Sequence, residues 1–125
     1  MLQSDYQKLV DAMKASSLEK LCDSYDFSFG LLLRLMIEDS GIPAHTLYEK
    51  LGVTKTYFYD ILKSKSKPPL ADKQRELLAL LHPSGKVRAR FFDLAAKERG
   101  EFPADLQQHI EKNNLYGQLR KQFKL

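Results

Sequence analysis

The amino-acid sequence predicts an all-α protein, and three observations support this fold class. Apolar residues recur at helical spacing along most of the 125 residues. Capping residues and helix breakers divide the chain at intervals that suit short helices. No stretch shows a convincing strand-like alternation of apolar and polar residues. We therefore expect seven or eight short helices.

The first three helices are predicted near the N-terminus. Ser4 and Ser16 are each followed three residues later by Gln or Glu, which is the spacing of a capping box at a helix start. The segment 28–39 is apolar around most of its circumference, as in a helix at the centre of a bundle. Gly41 and Pro43 stop this helix and restart the chain.

Residues 44–63 predict two short helices joined by a tight turn. Leu47 and Leu51 share one face of the first helix, and Gly52 suits the left-handed conformation that ends it. Thr54 is a favourable N-cap for the second helix. Two helices joined by a short glycine-containing turn have the layout of a helix-turn-helix, which inserts its second helix into the major groove of DNA.

The remaining helices follow a loop in which Pro68 and Pro69 enforce an extended chain. They are expected over residues 70–81, 86–99, 103–110 and 115–123. This organisation predicts an N-terminal helical extension over 1–27, a helix-turn-helix core over 28–82 and a C-terminal helical extension over 83–125.

Positive charge is concentrated on the predicted helix-turn-helix. The whole chain has a formal net charge of +4. Residues 50–75 contain seven basic and two acidic residues, a net charge of +5, so the rest of the chain carries −1. A localised basic face is the electrostatic feature expected of a protein that binds phosphate groups.

The exposed positions of this segment predict a DNA-binding surface. Phe58 and Ile61 are expected to face inward, which leaves the N-terminal half of the second helix free to reach base edges. Lysine can donate to guanine or phosphate, and threonine and tyrosine offer hydroxyl and apolar groups. The expected DNA-binding residues are His45, Thr46, Thr54, Lys55, Thr56, Tyr57, Tyr59, Lys63, Lys65 and Lys67.

At these residues the sequence resembles a known family. The segments LLLRLMIEDSGI, LYEKLGVTKTYFYDILKSKSKPP and QRELLALL are similar to the lambda-repressor-like helix-turn-helix regulators of the xenobiotic-response-element type. The tail FFDLAAKERGEFPADLQQHI also resembles a segment that accompanies such domains in bacterial and phage-related regulators. The resemblance covers residues 28–112 and implies a five-helix DNA-binding core that, in many members, binds as a dimer to operators with two half-sites.

Four positions depart from the family pattern. The family usually has glutamine at the position of Ala44 and alanine at the position of Tyr48, where the two helices approach closely. Near the end of the second helix it has Glu and Gly where this chain has Leu62 and Ser64. The large side chain of Tyr48 therefore bears directly on the angle between the helices.

Other kinds of site lack support in the sequence. His45, His82 and His109 are widely spaced and have no Cys or acidic partner at ligand spacing, so no metal site is expected. Nucleophile–base patterns and catalytic carboxylate pairs are missing, so neither an enzyme nor a cofactor is expected. No apolar run reaches the ~20 residues that span a bilayer, so no membrane partner is expected. The lone Cys22 and the lack of a signal-peptide layout predict a cytoplasmic protein.

The sequence thus predicts a sequence-specific double-stranded DNA-binding transcriptional regulator, a repressor from a phage or mobile-element context. Homodimerisation is expected because one recognition helix alone gives limited specificity. Apolar residues of the C-terminal part either build the dimer interface in part or complete the monomer core. They are Phe91, Phe92, Phe102, Ile110, Leu115, Tyr116 and Phe123.

The alternative is a protein-binding module on the same scaffold, since a fold does not dictate a function. Examples are an antitoxin that masks a toxin, or a phage-encoded inhibitor of a CRISPR effector, either of which can also repress its own promoter. The acid-rich stretches 23–26 and 98–101 could serve such a basic protein partner, or they could be solvated faces.

Overall fold

The chain folds into helices connected by short turns. A computed structural model describes residues 3–113 and 115–123, without the side chains of residues 3, 4, 116, 119, 120 and 123. These residues contain nine helices and no strand, which confirms the predicted all-α fold class, although the helices outnumber the seven or eight expected. The helices are α1 (Gln3–Ala15), α2 (Leu18–Ser24), α3 (Phe29–Ser40), α4 (Ala44–Leu51), α5 (Lys55–Leu62), α6 (Ala71–Leu81), α7 (Gly85–Arg99), α8 (Ala104–Lys112) and α9 (Tyr116–Phe123).

The starts of the first two helices differ slightly from the sequence prediction. Ser17, and not Ser16, is the N-cap of α2, because its hydroxyl accepts the Lys20 N–H at 3.1 Å. Ser16 instead donates its hydroxyl to the carbonyl of Ala12 at 3.1 Å. The capping box predicted at Ser16 is therefore wrong by one residue. Ser4 already lies inside α1, and its side chain is outside the described atoms.

Helix α3 lies at the centre of the fold, as its apolar circumference predicts. It contacts α1, α2, α5, α6 and α7. Its buried residues are Phe29, Gly30, Leu32, Leu33, Leu35 and Met36. The buried core extends from Val10 in α1 to Ala104 in α8. All three segments that the sequence analysis distinguished therefore contribute to the same core.

Helix α7 holds its neighbours through charged side chains that bond to backbone groups. Glu98 accepts the Phe29 N–H at the start of α3 at 2.6 Å. Arg90 donates to a carbonyl in the last turn of α2 at 2.7 Å. Arg99 donates to the carbonyl of Pro68 at 2.8 Å. Because helix ends and loops leave backbone groups unpaired, these bonds attach α7 to three separate parts of the fold.

Part of the C-terminal apolar set belongs to the monomer core. Phe91, Phe92 and Ile110 are buried within the single chain, which is the second of the two roles considered for them. Leu115 is half-buried. Phe102 is 53% exposed and is free to contact another molecule. The side chains of the two remaining members of the set lie outside the described atoms.

Helix α3 and the end of α5 approach each other very closely at a glycine. A Cβ atom at Gly30 would stand 2.6 Å from the carbonyl oxygen of Ile61 and 2.7 Å from that of Leu62. Both obstacles are backbone atoms, which cannot swing away as the end of a flexible side chain can. Glycine is therefore required for α5 to lie this close to α3.

We expect Gly30→Ala to lower the free energy of unfolding by about 1–3 kcal/mol, because the added methyl group forces two packed helices apart. Urea denaturation followed by circular dichroism measures this change. The matched control is Gly85→Ala in the first turn of α7, where an added Cβ meets no atom within 4 Å. Alanine there is expected to be neutral or stabilising by up to about 1 kcal/mol. Equal losses in the two variants would contradict the steric explanation.

Candidate nucleic-acid interface

Two backbone hydrogen bonds close the turn between α4 and α5. Gly52 adopts the left-handed conformation, with φ 71° and ψ 29°. The Val53 N–H donates to the carbonyl of Tyr48 at 3.1 Å, and the Gly52 N–H donates to that of Glu49 at 3.2 Å. This pair of bonds is the Schellman arrangement, and it uses the orphan carbonyls at the end of α4. Only Thr54 then separates Val53 from Lys55, the first residue of α5.

Tyr48 forms part of the contact between α4 and α5. Its half-buried ring lies with its centroid 6.0 Å from that of Phe58, at an interplanar angle of 53°. Phe58 and Ile61 are buried beneath α5, and Leu47 is buried beneath α4. The bulky residue at position 48 is therefore packed between the two helices, in a tilted aromatic pair of favourable geometry.

The first turn of α5 presents consecutive polar and aromatic side chains to solvent. Thr54 caps the helix, because its hydroxyl oxygen accepts the Tyr57 N–H at 3.1 Å. Lys55, Thr56 and Tyr57 are all exposed, and Tyr57 keeps 38% of its surface accessible. Tyr59 is half-buried and stands edge-on against a core phenylalanine. Four predicted contact residues thus lie together at the surface, while the ring of Tyr59 lies partly in the core.

Lys55 does not help to hold the fold together. It occupies the first position of α5, where a positive charge opposes the positive end of the helix dipole. The first turn carries no acidic residue, and none of the ion pairs within the described residues includes Lys55. Its ammonium group is therefore available to a molecule outside the chain.

The start of α4 is also exposed. Pro43 occupies the N-cap position, so the helix has no side-chain cap. His45 is exposed in the first turn, and Thr46 is half-buried with its N–H bonded to the carbonyl of Pro43 at 3.1 Å. An uncapped helix start leaves backbone N–H groups that suit an anion.

The end of α5 has the backbone conformation that glycine would favour. Ser64 has a φ of 61°, in the left-handed region. The N–H of Lys65 donates to the carbonyl of Asp60 at 2.8 Å, which closes the last turn of the helix. A serine therefore occupies the left-handed position after this helix, where glycine is more usual.

The loop that carries the three lysines is fixed at its far end by two side chains. Buried Gln74 donates from its amide to the carbonyl of Pro69 at 2.8 Å. The guanidinium of Arg99 donates to the adjacent carbonyl of Pro68. Pro68 and Pro69 are themselves buried. The exposed lysines of this segment, at positions 63, 65 and 67, therefore project from an anchored backbone.

Two of the seven basic residues in segment 50–75 are used within the fold. Lys73 donates to the carbonyl of Leu51 at the end of α4 at 2.6 Å, and it pairs with Glu76 at 3.1 Å. Arg75 pairs with Asp72. Five lysines of the segment remain exposed, namely Lys50, Lys55, Lys63, Lys65 and Lys67. The basic surface is therefore narrower than the sequence count indicates, and it lies mainly on α5 and the loop after it.

The carboxylate of Glu101 interacts electrostatically with Lys67, one of the exposed lysines of the loop after α5. Its carboxylate accepts a hydrogen bond from the Arg99 guanidinium at 3.0 Å. That hydrogen bond, together with the charges of Arg99 and Lys67, lowers the pKa of the Glu101 carboxyl below its ordinary value. The ionised Glu101 therefore offsets part of the positive charge of Lys67.

We expect Arg99→Gln to raise the pKa of Glu101 towards that of an ordinary glutamate, measured by carbon-13 NMR titration of its carboxyl group. Because the lowered pKa favours the carboxylate in the folded protein, its stabilising contribution is present above the ordinary glutamate pKa. It is lost as the pH falls through the lowered value. Arg75→Gln, which removes a different exposed ion pair, is the control and should leave the Glu101 titration unchanged. A pKa that does not move in Arg99→Gln would contradict this assignment.

The acid-rich stretches proposed for a basic protein partner are largely occupied within the chain. Asp23 pairs with Lys86 at 3.0 Å. Glu98 accepts the backbone N–H at the start of α3, and Glu101 pairs with Arg99 at 2.9 Å. Three of the four carboxylates in stretches 23–26 and 98–101 therefore have internal partners.

No protein-family model, curated protein or solved structure matches this chain. Within residues 3–113 and 115–123, no three His, Cys, Asp or Glu side chains are grouped so that they could hold a metal ion. None of the described helices is long and apolar enough to cross a membrane.

Sequence reasoning did not identify the residues that position this surface. Gly30 allows the end of α5 to lie close to α3, and Gln74 and Arg99 fix the backbone of the lysine loop. Gln74 carried one weak signal, because it is a polar residue on the leucine-rich face of its helix. Gly30, inside an otherwise apolar helix, also signals a close approach of two backbones.

Proposed function

We propose that this chain is a sequence-specific double-stranded DNA-binding regulator in which α4 and α5 act as a lambda-repressor-like helix-turn-helix. The observation that carries the proposal is the first turn of α5. There Lys55, Thr56 and Tyr57 are exposed on a helix whose opposite face is buried through Phe58 and Ile61. A helix with this division can place its N-terminal half in the major groove while the rest of the protein stays outside it.

Each exposed group has a role that suits its chemistry. The Lys55 ammonium can donate to the O6 and N7 atoms of guanine, and the Thr56 methyl can contact the methyl group of thymine. The Tyr57 hydroxyl and ring edge, and the accessible part of Tyr59, can contact bases or the sugar. The hydroxyl of Thr54, its oxygen already accepting a hydrogen bond, can still donate its proton to a phosphate.

The remaining predicted residues would bind the DNA backbone without reading its sequence. Lys63, Lys65 and Lys67 lie on the anchored loop after α5, and His45 and Thr46 lie at the uncapped start of α4. Phosphate contacts from both groups would hold the recognition helix in register on the DNA.

In this proposal the protein represses transcription by occupying its DNA site. A bound protein covers a promoter and excludes RNA polymerase, which makes it a cytoplasmic repressor that needs no cofactor and catalyses no reaction. Binding as a homodimer would place two α5 helices in successive major grooves, about 34 Å apart. A phage or mobile-element regulator is the context that the sequence resemblance suggests.

Selection of bound sequences from random duplex DNA tests the function as a whole. We expect enrichment of one motif, and a two-fold symmetric motif with half-sites one helical turn apart would support the homodimer. Light scattering of the free protein at micromolar concentration supplies an independent measure of its oligomeric state. Failure to enrich any sequence, with the protein folded, would refute sequence-specific binding.

We expect Lys55→Gln and Tyr57→Ala each to weaken binding to the selected duplex by about 1–3 kcal/mol, the usual worth of a base contact. Fluorescence anisotropy at fixed salt, with the selected and a scrambled duplex, measures the change. Neither substitution should destabilise the fold, because Lys55 is unfavourable for α5 and Tyr57 is exposed.

The matched control for this experiment is Lys65→Gln, which removes an exposed charge from the loop without touching α5. It should weaken binding to the selected and scrambled duplexes alike, because a phosphate contact carries no sequence information. If Lys55→Gln behaves in the same way as Lys65→Gln, then Lys55 contacts phosphate and is not a base reader.

The protein-binding alternative gains no support from the acidic stretches, because Asp23, Glu98 and Glu101 have partners within the chain. No other described feature specifies the chemistry of a protein partner. DNA binding is therefore the function that the exposed residues favour.

A further inference from the structure

A cleft lies between α3 and the C-terminal end of α5, outside the first turn that is proposed to read bases. It has a volume of about 360 Å³ and is lined by Ser28, Leu31, Arg34, Leu62, Lys63 and Ser64. The close contact at Gly30 creates it, because that contact brings the last residues of α5 against the first two turns of α3.

The lining of this cleft has the composition of an anion site. Arg34 and Lys63 supply two positive charges, and Ser28 and Ser64 supply hydroxyl groups. None of its described lining residues is acidic. Three other clefts of the molecule differ in this respect, since they include Glu19 and Asp39, Asp26 and Asp93, or Glu38. Glu38 belongs to the groove next to Arg34 and does not line this cleft.

One of the two cationic groups, the guanidinium of Arg34, is held in place before any ligand arrives. The guanidinium of Arg34 lies 3.9 Å from the centre of the Tyr6 ring, which is a cation–π contact between α3 and α1. The Tyr6 hydroxyl reaches back to the Arg34 carbonyl at 3.5 Å. At the other wall, the Lys63 N–H donates to the carbonyl of Tyr59 at 3.0 Å and Ser64 adopts the left-handed conformation, while the Lys63 side chain is exposed. A guanidinium ordered in advance loses less entropy on binding.

We propose that this cleft binds a phosphate group. The guanidinium of Arg34 offers paired N–H donors to two phosphate oxygens, Lys63 adds a second positive charge, and a serine hydroxyl can donate to a third oxygen. The phosphate belongs either to the DNA backbone, next to the end of α5, or to a free phosphorylated ligand. The first source rests on the proposed function, while the second does not.

Two measurements on the full chain test this site. In the first, inorganic phosphate is added at constant ionic strength, and the Arg34 Nε–H and Ser64 amide signals are followed by NMR. In the second, the affinity for the selected duplex is measured at several salt concentrations. The variants are Arg34→Gln, Arg34→Lys and Lys63→Gln, with Lys20→Gln on the exposed face of α2 as the control. Thermal unfolding of each variant verifies that it is folded.

A backbone phosphate in the cleft predicts that Arg34→Gln lowers the slope of log affinity against log salt by about 1, the value for one lost phosphate contact. Arg34→Lys should keep most of the slope, because it keeps the charge. Lys63→Gln, whose exposed side chain is not needed for folding, should lower the slope as Arg34→Gln does. Lys20→Gln should leave it unchanged.

The two sources give different results. A slope change that depends on Arg34 identifies the DNA backbone, with or without a response to free phosphate. A saturable NMR response that Arg34→Gln abolishes, with an unchanged slope, identifies a free phosphorylated ligand. If the wild-type protein binds no duplex, the proposed function is refuted, and the NMR titration with phosphate is then the only test of the cleft. The phosphate site is overturned if Arg34→Gln changes neither the NMR response to phosphate nor, where a duplex is bound, the salt slope.

Discussion

The geometry of the candidate DNA-binding surface depends on the backbone contact between Gly30 and the end of α5. Because no side chain separates the two helices there, the carbonyl groups of Ile61 and Leu62 lie against α3. Leu62, at the end of α5, is buried in this contact region. The chain must then leave α5 abruptly, and the left-handed Ser64 makes that change of direction. The lysine loop and the cationic cleft both begin at this point.

Hydrogen bonds between charged side chains and backbone groups are the second feature that stabilises the fold. Glu98, Arg90, Arg99 and Lys73 each reach a backbone group of a different element, at 2.6–2.8 Å. Such bonds join elements far apart in the chain, and those at helix ends also complement the helix dipole. They explain why a count of charges along the sequence overstates the surface available to ligands. Lys73 raises the apparent charge of segment 50–75 but serves as a cap for α4.

The parts of the fold that the sequence predicts correctly are those encoded locally. Helix positions follow from apolar spacing, from serine and threonine caps, and from glycines such as Gly52, all of which act within a few residues. The exposure of Lys55, Thr56 and Tyr57 follows from the same periodicity, once Phe58 and Ile61 face inward. The error at Ser16 is also local, because Ser17 offers an equivalent hydroxyl one residue later.

What the sequence did not predict depends on contacts between distant residues. Arg99 and Pro68 are separated by 31 positions, and Glu98 and Phe29 by 69. No local pattern distinguishes these side chains from ordinary solvated charges. Local sequence also cannot assign Phe91 and Phe92, because buried phenylalanines occur both in monomer cores and in dimer interfaces. Only the packing of α7 on α3, with the Phe29 and Phe91 rings 4.8 Å apart, assigns them to the core.

The lysine loop and the first turn of α5 differ in how their backbones are held. The far end of the loop is fixed by the buried prolines, Gln74 and Arg99. The first turn of α5 is fixed by its Thr54 cap and by the burial of Phe58 and Ile61 beneath the helix. In the proposed function, both sets of exposed side chains therefore leave an ordered backbone, so binding would cost their rotamer entropy and little backbone entropy. Phosphate contacts from the loop would then set the register of the protein on DNA, and discrimination between sequences would fall to the groups of the first turn of α5.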